Sequence, residues 1–309
     1  MSRRTTAYLL LLVTSVIWGV AGPVIKFTLQ FYPPLIFLTY RFAISSFLAL
    51  PYLARGHAKH MKNQRKIRDL VIHGVLVAPL ALGLLFYGYD KTTSLTGSII
   101  SASAPILTIV LSAEFLREHV TRVERSGISL AFLGTLLIIL GPFFAGNGMA
   151  LGALEGNLLI VLALIVDTVG SLYVKILARE DVPAALVSHI SFVIGFIILL
   201  PVTIAVHSPG MLVQTIVQAP PAAHLGVLFM AVLSGTVAYA LRSVAVKTIE
   251  LSEAAVFSYL YPLWAAPLAI LWLGESVALP FVLGAGLIAT GVLIAERKKR
   301  MRYGKSRLR

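Results

Sequence analysis

The chain contains no cysteine among its 309 residues, which excludes disulfides, thiolate catalysis and cysteine-ligated metal. No Asn-x-Ser/Thr sequon is present, so nothing points to a glycosylated extracellular domain. No Gly-x4-Gly-Lys-Ser/Thr loop occurs, which excludes ATP-driven work by this polypeptide. Gly146-Asn147-Gly148 fails the dinucleotide pattern because Leu151 stands where the third glycine belongs. There is no HExxH metal helix and no Gly-x-Ser-x-Gly nucleophile elbow, and no cofactor is expected. Charge is scarce as well, at 13% of residues, and the 13 acids are scattered rather than clustered.

What is abundant is apolar sequence. A chain that is 58% apolar, with a mean hydropathy of +0.89, is not an ordinary soluble domain, and its first partner is the lipid bilayer. A helix crosses a hydrocarbon core of about 30 Å with about 20 residues. Runs of that length are read at Thr6–Leu29, Pro34–Ala54, Asp69–Asp90, Leu95–Phe115, Arg122–Gly141, Gly152–Leu177, Pro183–His207, Pro221–Arg242, Ser252–Leu273 and Leu279–Ala295. The expected fold is therefore an all-α integral membrane protein of about ten transmembrane helices. The first run follows Arg3 and Arg4 but lacks a small-x-small cleavage site clear of proline, since Ala21-Gly22 leads into Pro23; it is read as a retained helix.

The cations set the orientation. Of the 26 Lys and Arg, all but Lys26, Arg41 and Lys91 fall on the side of the N-terminus, which places both termini in the cytoplasm of a cell with the chain in its inner membrane. The net charge of +13 is then a topology signal. The basic tail from Arg297 to Arg309 meets anionic headgroups, and no nucleic-acid partner is inferred.

The sequence also repeats itself. Pro105-Ile106-Leu107, running to Phe115-Leu116-Arg117-Glu118, returns 157 positions later as Pro262-Leu263-Trp264, running to Trp272-Leu273-Gly274-Glu275. Gly127 and Gly134 fall on Gly284 and Gly291, and with small shifts Lys26 falls on Lys175 and Pro51 on Pro201. The halves are drawn at 1–145 and 146–309. Five helices is an odd number, so the second half enters the membrane from the opposite face and the repeats are inverted. Secondary transporters use that architecture, with the substrate near the midplane between the repeats.

Trp18-Gly19, Arg41-Phe42, Pro105 with Glu118, Gly127 with Gly134, Gly235, Ala238-Tyr239, and Pro262 with Gly274-Glu275 occur in that order along the chain. In this set the chain resembles the drug/metabolite transporter superfamily, specifically its EamA-type ten-helix members. The resemblance covers nearly the whole chain and implies export of amino acids or related metabolites, with amines or nucleobase-like solutes carried by some members. It also makes Arg41 a hallmark. Asp167 in place of a second Trp18, Tyr89-Asp90 in a stretch expected to be small and apolar, and Arg117 in place of a second Gly274 depart from the pattern.

Residues three and four apart share a helix face, so polar stripes mark faces turned from lipid. Ser15, Trp18, Gly19, Gly22 and Lys26 form one stripe, and Asp167, Ser171 and Lys175 form its counterpart. Ser98, Ser101, Pro105, Thr108 and Ser112 form a third, and Ser258, Tyr259 and Pro262 a fourth. A cavity between the halves would collect Ser15, Trp18, Gly22, Arg41, Tyr87, Ser101, Asp167, Ser171, Tyr239, Ser258 and Tyr259, with aromatic rings suited to a flat or apolar organic solute. The same hydroxyls serve equally well as interhelical hydrogen-bond donors.

Gly127, Gly134, Gly284, Gly286 and Gly291 read as close-packing sites, and Pro79, Pro105, Pro262 and Pro267 as kinks. Asp167 and His189 are the candidates for proton coupling, Asp167 because a carboxylate at membrane depth is costly without a task or a partner such as Lys175. His73 reads as a relay or a packing residue. Arg41 reads as a snorkelling residue or a tie between helices, and Glu118 and Glu275 as helix-end anchors. The function that follows is secondary transport of a small organic solute; a membrane enzyme acting on lipid-like substrates, or a sensor built on a transporter fold, is the alternative. Oligomeric state is not legible.

Overall fold

In hydrocarbon each backbone amide needs a partner inside the protein, so helices are the economical way for an open chain to cross a bilayer. The computed structural model describes residues 3–55, 63–104, 106–107, 122–144, 150–245, 248, 254, 256–277 and 279–306, and among them there is no strand. Pro105, Thr108, Ser112, Glu114, Arg117, Glu118, Gly146–Gly148 and Ser252 lie outside the described residues, as does the Lys175 side chain.

The elements run α1 (Arg3–Thr28), α2 (Pro34–Leu53), α3 (Gln64–Val75), a π-helical segment (Leu76–Leu82), α4 (Gly83–Lys91), α5 (Ser94–Ala102), α6 (Arg122–Phe144), α7 (Ala150–Arg179) and α8 (Ala184–His207). There follow α9 (Pro209–Gln218), α10 (Pro221–Leu228), a second π-helical segment (Phe229–Val237), α11 (Ala238–Ala245), a 3-10 turn (Val256–Leu260), α12 (Tyr261–Leu271) and α13 (Leu279–Ser306).

Local chemistry starts these helices. Pro34 opens α2, where its missing N–H is no loss. The Asn63 side chain accepts from the N–H groups of Arg65 at 2.9 Å and Lys66 at 3.4 Å to cap α3. Thr93 caps α5 by accepting from Thr96 N–H at 3.1 Å. Among the described residues, six helices are long and apolar enough to cross a membrane: Arg4–Thr28, Pro34–Leu53, Gln64–Lys91, Ala153–Val174, Ala184–His207 and Pro221–Arg242. Arg125–Ile138, Phe257–Leu271 and Leu279–Gly291 are shorter apolar helices, and the expected span at Leu95–Phe115 is described as a helix over Ser94–Ala102. Helix α9 was not expected. It follows the hydrophobic run that ends at His207, is too short to span, and buries none of its residues.

The packing repeats in a paired way. Helix α1 lies against α11 and α12, the closing parts of the eighth and ninth spans, while α7, its counterpart, lies against α4 and α5 in the third and fourth. Helix α2 packs on α8, and α6 on α13. Exchanging the first five spans with the second five maps each of these contacts onto another or onto itself, which is what two repeats related by a pseudo-twofold axis produce. The two π-helical segments also fall in equivalent third and eighth spans. Pro79 sits inside the first and supplies a cause, since it lacks the N–H that a regular turn would use. The second contains no proline.

Glycine sets the distance between α6 and α13. A Cβ on Gly134 would lie 2.6 Å from the Gly284 carbonyl oxygen, and one on Gly291 would lie 2.5 Å from that of Gly127. Gly286 departs from the close-packing expectation: a Cβ there would meet nothing within 4 Å. It sits two residues from Gly284, so it points to the other side of the helix. Pro262 is likewise not a kink. It lies in the first turn of α12, where the ninth span changes from a 3-10 to an α-helix, whereas Pro267 is inside the helix. Large apolar side chains such as Phe47, Ile197 and Leu271 stand outward and exposed, while Arg41, Ser45, Thr203 and Asp69 are buried. That inversion suits hydrocarbon as the surrounding solvent.

Candidate functional site

A cavity of about 240 Å³ lies where the two repeats meet. Helix α1 supplies Leu11, Ser15, Trp18, Gly22 and Ile25, spaced by three and four residues and so on one face, over about 21 Å of helix. Its counterpart α7 supplies Ala163, Leu164, Asp167, Thr168 and Ser171 from an equivalent face. Helix α4 and the π segment before it add Ala81, Leu82, Leu85 and Tyr89, and α5 adds Ser98 and Ser101. The second repeat contributes Met230 and Ser234, then Tyr239 and Arg242, then Phe257, Ser258 and Tyr261. Arg41 enters from α2.

Of the residues expected around a cavity, the structure brings together Ser15, Trp18, Gly22, Arg41, Ser101, Asp167, Ser171, Tyr239 and Ser258. Tyr87, Tyr259 and His189 are not among the lining residues. On α4 the lining positions 85 and 89 share a face, and Tyr87, two residues before Tyr89, points away from it. Tyr259 packs instead against the main apolar core. His189 lies beside Tyr52, with ring centroids 4.8 Å apart, between α8 and α2. His73 is buried and its Nδ1 lies 3.0 Å from the Gly170 carbonyl oxygen, tying α3 to α7. Gly19 and Lys26 also leave their stripe. A Cβ on Gly19 would lie 2.7 Å from Trp264 Cβ, while Lys26 Nζ donates to the carbonyl oxygens of Tyr89 and Asp90, each at 2.9 Å, at the end of α4.

Trp18 is the centre of an aromatic wall. Its indole Nε1 donates to the Ser234 carbonyl oxygen at 3.0 Å, inside the second π segment, where the widened turn leaves an oxygen free to accept. Tyr239 meets its ring edge-on at 5.2 Å and Tyr261 at 6.4 Å, and the Arg242 guanidinium lies 5.6 Å from the ring centroid. Trp264 Nε1 donates to Ser15 Oγ at 3.2 Å, joining α12 to α1. The phenol of Tyr89 hydrogen-bonds Ser98 and Ser101, and a Cβ on Gly22 would lie 3.0 Å from its oxygen.

Among the described lining residues the charged ones are Arg41, Asp167 and Arg242. Asp167 and Arg242, on α7 and α11 of the second repeat, lie close enough to attract one another. By the charge pattern Arg242 is one of the cations at the N-terminal side, at the end of the Pro221–Arg242 run. It stands instead in the last turn of α11 with its head in the cavity, and sequence alone could not reveal this because the residue lies at a helix end, where a loop and a lumen look alike. Arg41 does not snorkel to an interface, and its contact to Phe86 joins α2 to α4. It is 1% exposed, its Cζ lies 5.6 Å from the ring centroids of both Phe42 and Phe86, and its Nε and Nη1 find no hydrogen-bond partner among the described residues. Tyr89, Tyr261 and Arg242 are among the lining residues that the sequence did not point to. Tyr89 was visible only as a departure from the resemblance, and Tyr261 only as a neighbour of Pro262.

The side opposite the N-terminus is drawn together by polar contacts. The Glu275 carboxylate accepts from Ser94 N–H at 2.7 Å and Leu95 N–H at 2.9 Å, so an acid after α12 caps the start of α5. Gly274 makes this possible by adopting a φ of +65°, which turns the chain back after the helix. Thr92 donates to Asn157 at 2.6 Å and Lys91 to Glu155 at 2.5 Å, joining α4 to α7.

An all-helical chain with membrane-spanning helices, two structural repeats and a polar cavity between them is a membrane transporter by architecture. The chain belongs to the EamA-like transporter family, whose model matches residues 5–140 and again residues 154–296. It is 28% identical to an uncharacterized transporter of Archaeoglobus fulgidus over 94% of this chain and 99% of that one. It is 25% identical to a Salmonella typhimurium protein named "Probable amino-acid metabolite efflux pump", over 94% of each. It is 24% identical to a Streptantibioticus cattleyicolor protein named "Probable terminal-alkyne amino-acid exporter", over 93% of this chain and 92% of that one. A solved crystal structure matches with a TM-score of 0.60 at 17% identity, over 94% of this chain and 96% of that one, which is a likeness of fold.

Proposed function

We propose that the protein is a secondary carrier that exports small organic metabolites of the amino-acid kind from the cytoplasm, by alternating access about the axis between its repeats. The observation that carries this is the position of the cavity. Equivalent helices α1 and α7 both turn their polar faces into it, so a rearrangement that exchanges the roles of the two repeats would expose the same lining to either side of the membrane. The relatives named for efflux of amino-acid metabolites or an amino acid support the choice of cargo and direction. The volume, below the roughly 300–1,000 Å³ of pockets for drug-sized ligands, suits a small metabolite.

Asp167 is the one carboxylate among the described lining residues and therefore the group that would exchange a proton against cargo. Both termini lie in the cytoplasm in this reading, in keeping with the distribution of Lys and Arg. Counterflow exchange in proteoliposomes with labelled amino acids, run with and without an imposed pH gradient, tests the proposal. Exchange of a labelled solute that responds to the gradient is expected; no exchange by folded protein across the panel refutes it.

A further inference from the structure

Arginine is a cation with five donors, no acceptor and no neutral form at ordinary pH. Burying one without partners is costly, because each buried donor left unpaired loses its bond to water. Arg41 is in that position. It lines the cavity at 1% exposure, and its Nε and Nη1 are buried with no hydrogen-bond partner among the described residues. Phe42 and Phe86 offer it ring faces at 5.6 Å, which compensates charge in part and supplies no acceptor.

The charges around it do not balance either. Asp167 lies under the attraction of Arg242, from the same second repeat, which leaves the Arg41 cation of the first repeat as the remainder. The described lining therefore carries one net positive charge in a site of low dielectric. A cargo amine without an acid would raise that charge, whereas a monoanionic group would cancel it. A guanidinium fork matches a carboxylate oxygen for oxygen, and the hydroxyls of Ser98, Ser101 and Tyr89 line the same cavity for the remaining polar atoms.

We propose that Arg41 is the anchor for a carboxylate on the cargo, so that the protein carries zwitterionic or monoanionic carboxylates and discriminates against the corresponding amides and amines. This rests on the carrier reading and sharpens it to a substrate class.

The test uses the full chain in proteoliposomes, with leucine and phenylalanine, their amides, and the amines that remain when the carboxylate is removed. Wild-type protein is expected to exchange the amino acids with a half-saturating concentration at least tenfold below that of either analogue. Arg41→Gln is expected to raise the half-saturating concentration for the amino acids by about 10- to 100-fold, the range for losing hydrogen bonds to a charged group, while leaving the analogues unchanged. Arg41→Lys, which keeps the charge but not the fork, should recover part of the loss. Exchange of amides and amines as readily as the amino acids overturns the anchor while the carrier reading stands. Retained discrimination in folded Arg41→Gln overturns it in the same way. If Arg41→Gln does not fold, the wild-type comparison of acid against amide decides alone. No exchange of any member by folded wild-type protein overturns the carrier reading, and this inference with it.

Discussion

Changing Gly284 to alanine should destabilise the protein, and changing Gly286 to alanine should not, although both glycines lie on α13 two residues apart. At Gly284 the added methyl would sit 2.8 Å from the Gly134 carbonyl oxygen and in contact with Ile138, both on α6. A backbone oxygen in the middle of a helix cannot move aside as a flexible side chain can, so α6 and α13 must separate along their whole seam. At Gly286 the same methyl meets nothing within 4 Å. Both substitutions gain the same helix propensity, about 1 kcal/mol for Ala over Gly, and that contribution cancels between them. What remains is overpacking, which costs about 1–3 kcal/mol. Unfolding of the two purified variants and the wild type in the same detergent, followed to give a free-energy difference, measures it directly. Gly284→Ala should fall below Gly286→Ala by about 1–3 kcal/mol. Equal stability, within the ±0.5 kcal/mol usual for neutral surface changes, would refute the reasoning that glycine sets this seam.

Asp167→Asn should abolish the response of exchange to an imposed pH gradient while exchange itself persists. Combined with Arg242→Gln it should cost less than the sum of the single changes, by a coupling of about 0.5–3 kcal/mol, and strict additivity in a double-mutant cycle would deny the attraction between them. Trp18→Phe keeps the edge-on contacts to Tyr239 and Tyr261 but loses the hydrogen bond to the Ser234 carbonyl, so it should change the ranking of solutes in counterflow more than the unfolding midpoint. The reverse pattern would make Trp18 a packing residue. Glu275→Gln leaves one acceptor oxygen for two N–H groups at the start of α5, and a loss of about 0.5–2 kcal/mol is expected in the same unfolding assay, in the range of lost helix caps. An unchanged midpoint would show that the cap is dispensable.

Hydropathy and repetition made the architecture legible early. Runs such as Pro34–Leu53 and Ala184–His207 are apolar along their length and bounded by proline, so their helical character was written locally. The stripe from Ser15 to Gly22 was equally plain, because period and polarity coincide on one helix. The sequence offers Tyr87 and Tyr259 to the cavity as aromatics suited to an organic solute, but the face of α4 that reaches it is set by Tyr89 and Leu85, and Tyr259 packs against the core. Glycine was ambiguous in the same way: Gly284 and Gly286 look alike in sequence, and only the position of α6 separates them.

The sequence by itself determined that this chain crosses a membrane as helices, that it does so in two related halves, and which faces of several helices avoid lipid. These properties follow from the solvent and from the 3.6-residue period, both of which act residue by residue. Tertiary structure alone decided that Arg242 lies near Asp167, that Trp18 donates to a carbonyl in a π-helical turn, and that Arg41 is buried beside two phenylalanines with its Nε and Nη1 unmet among the described residues. Each of these depends on the rotation and separation of helices far apart in the chain. Those quantities are set by packing across the bundle, and no local pattern encodes them.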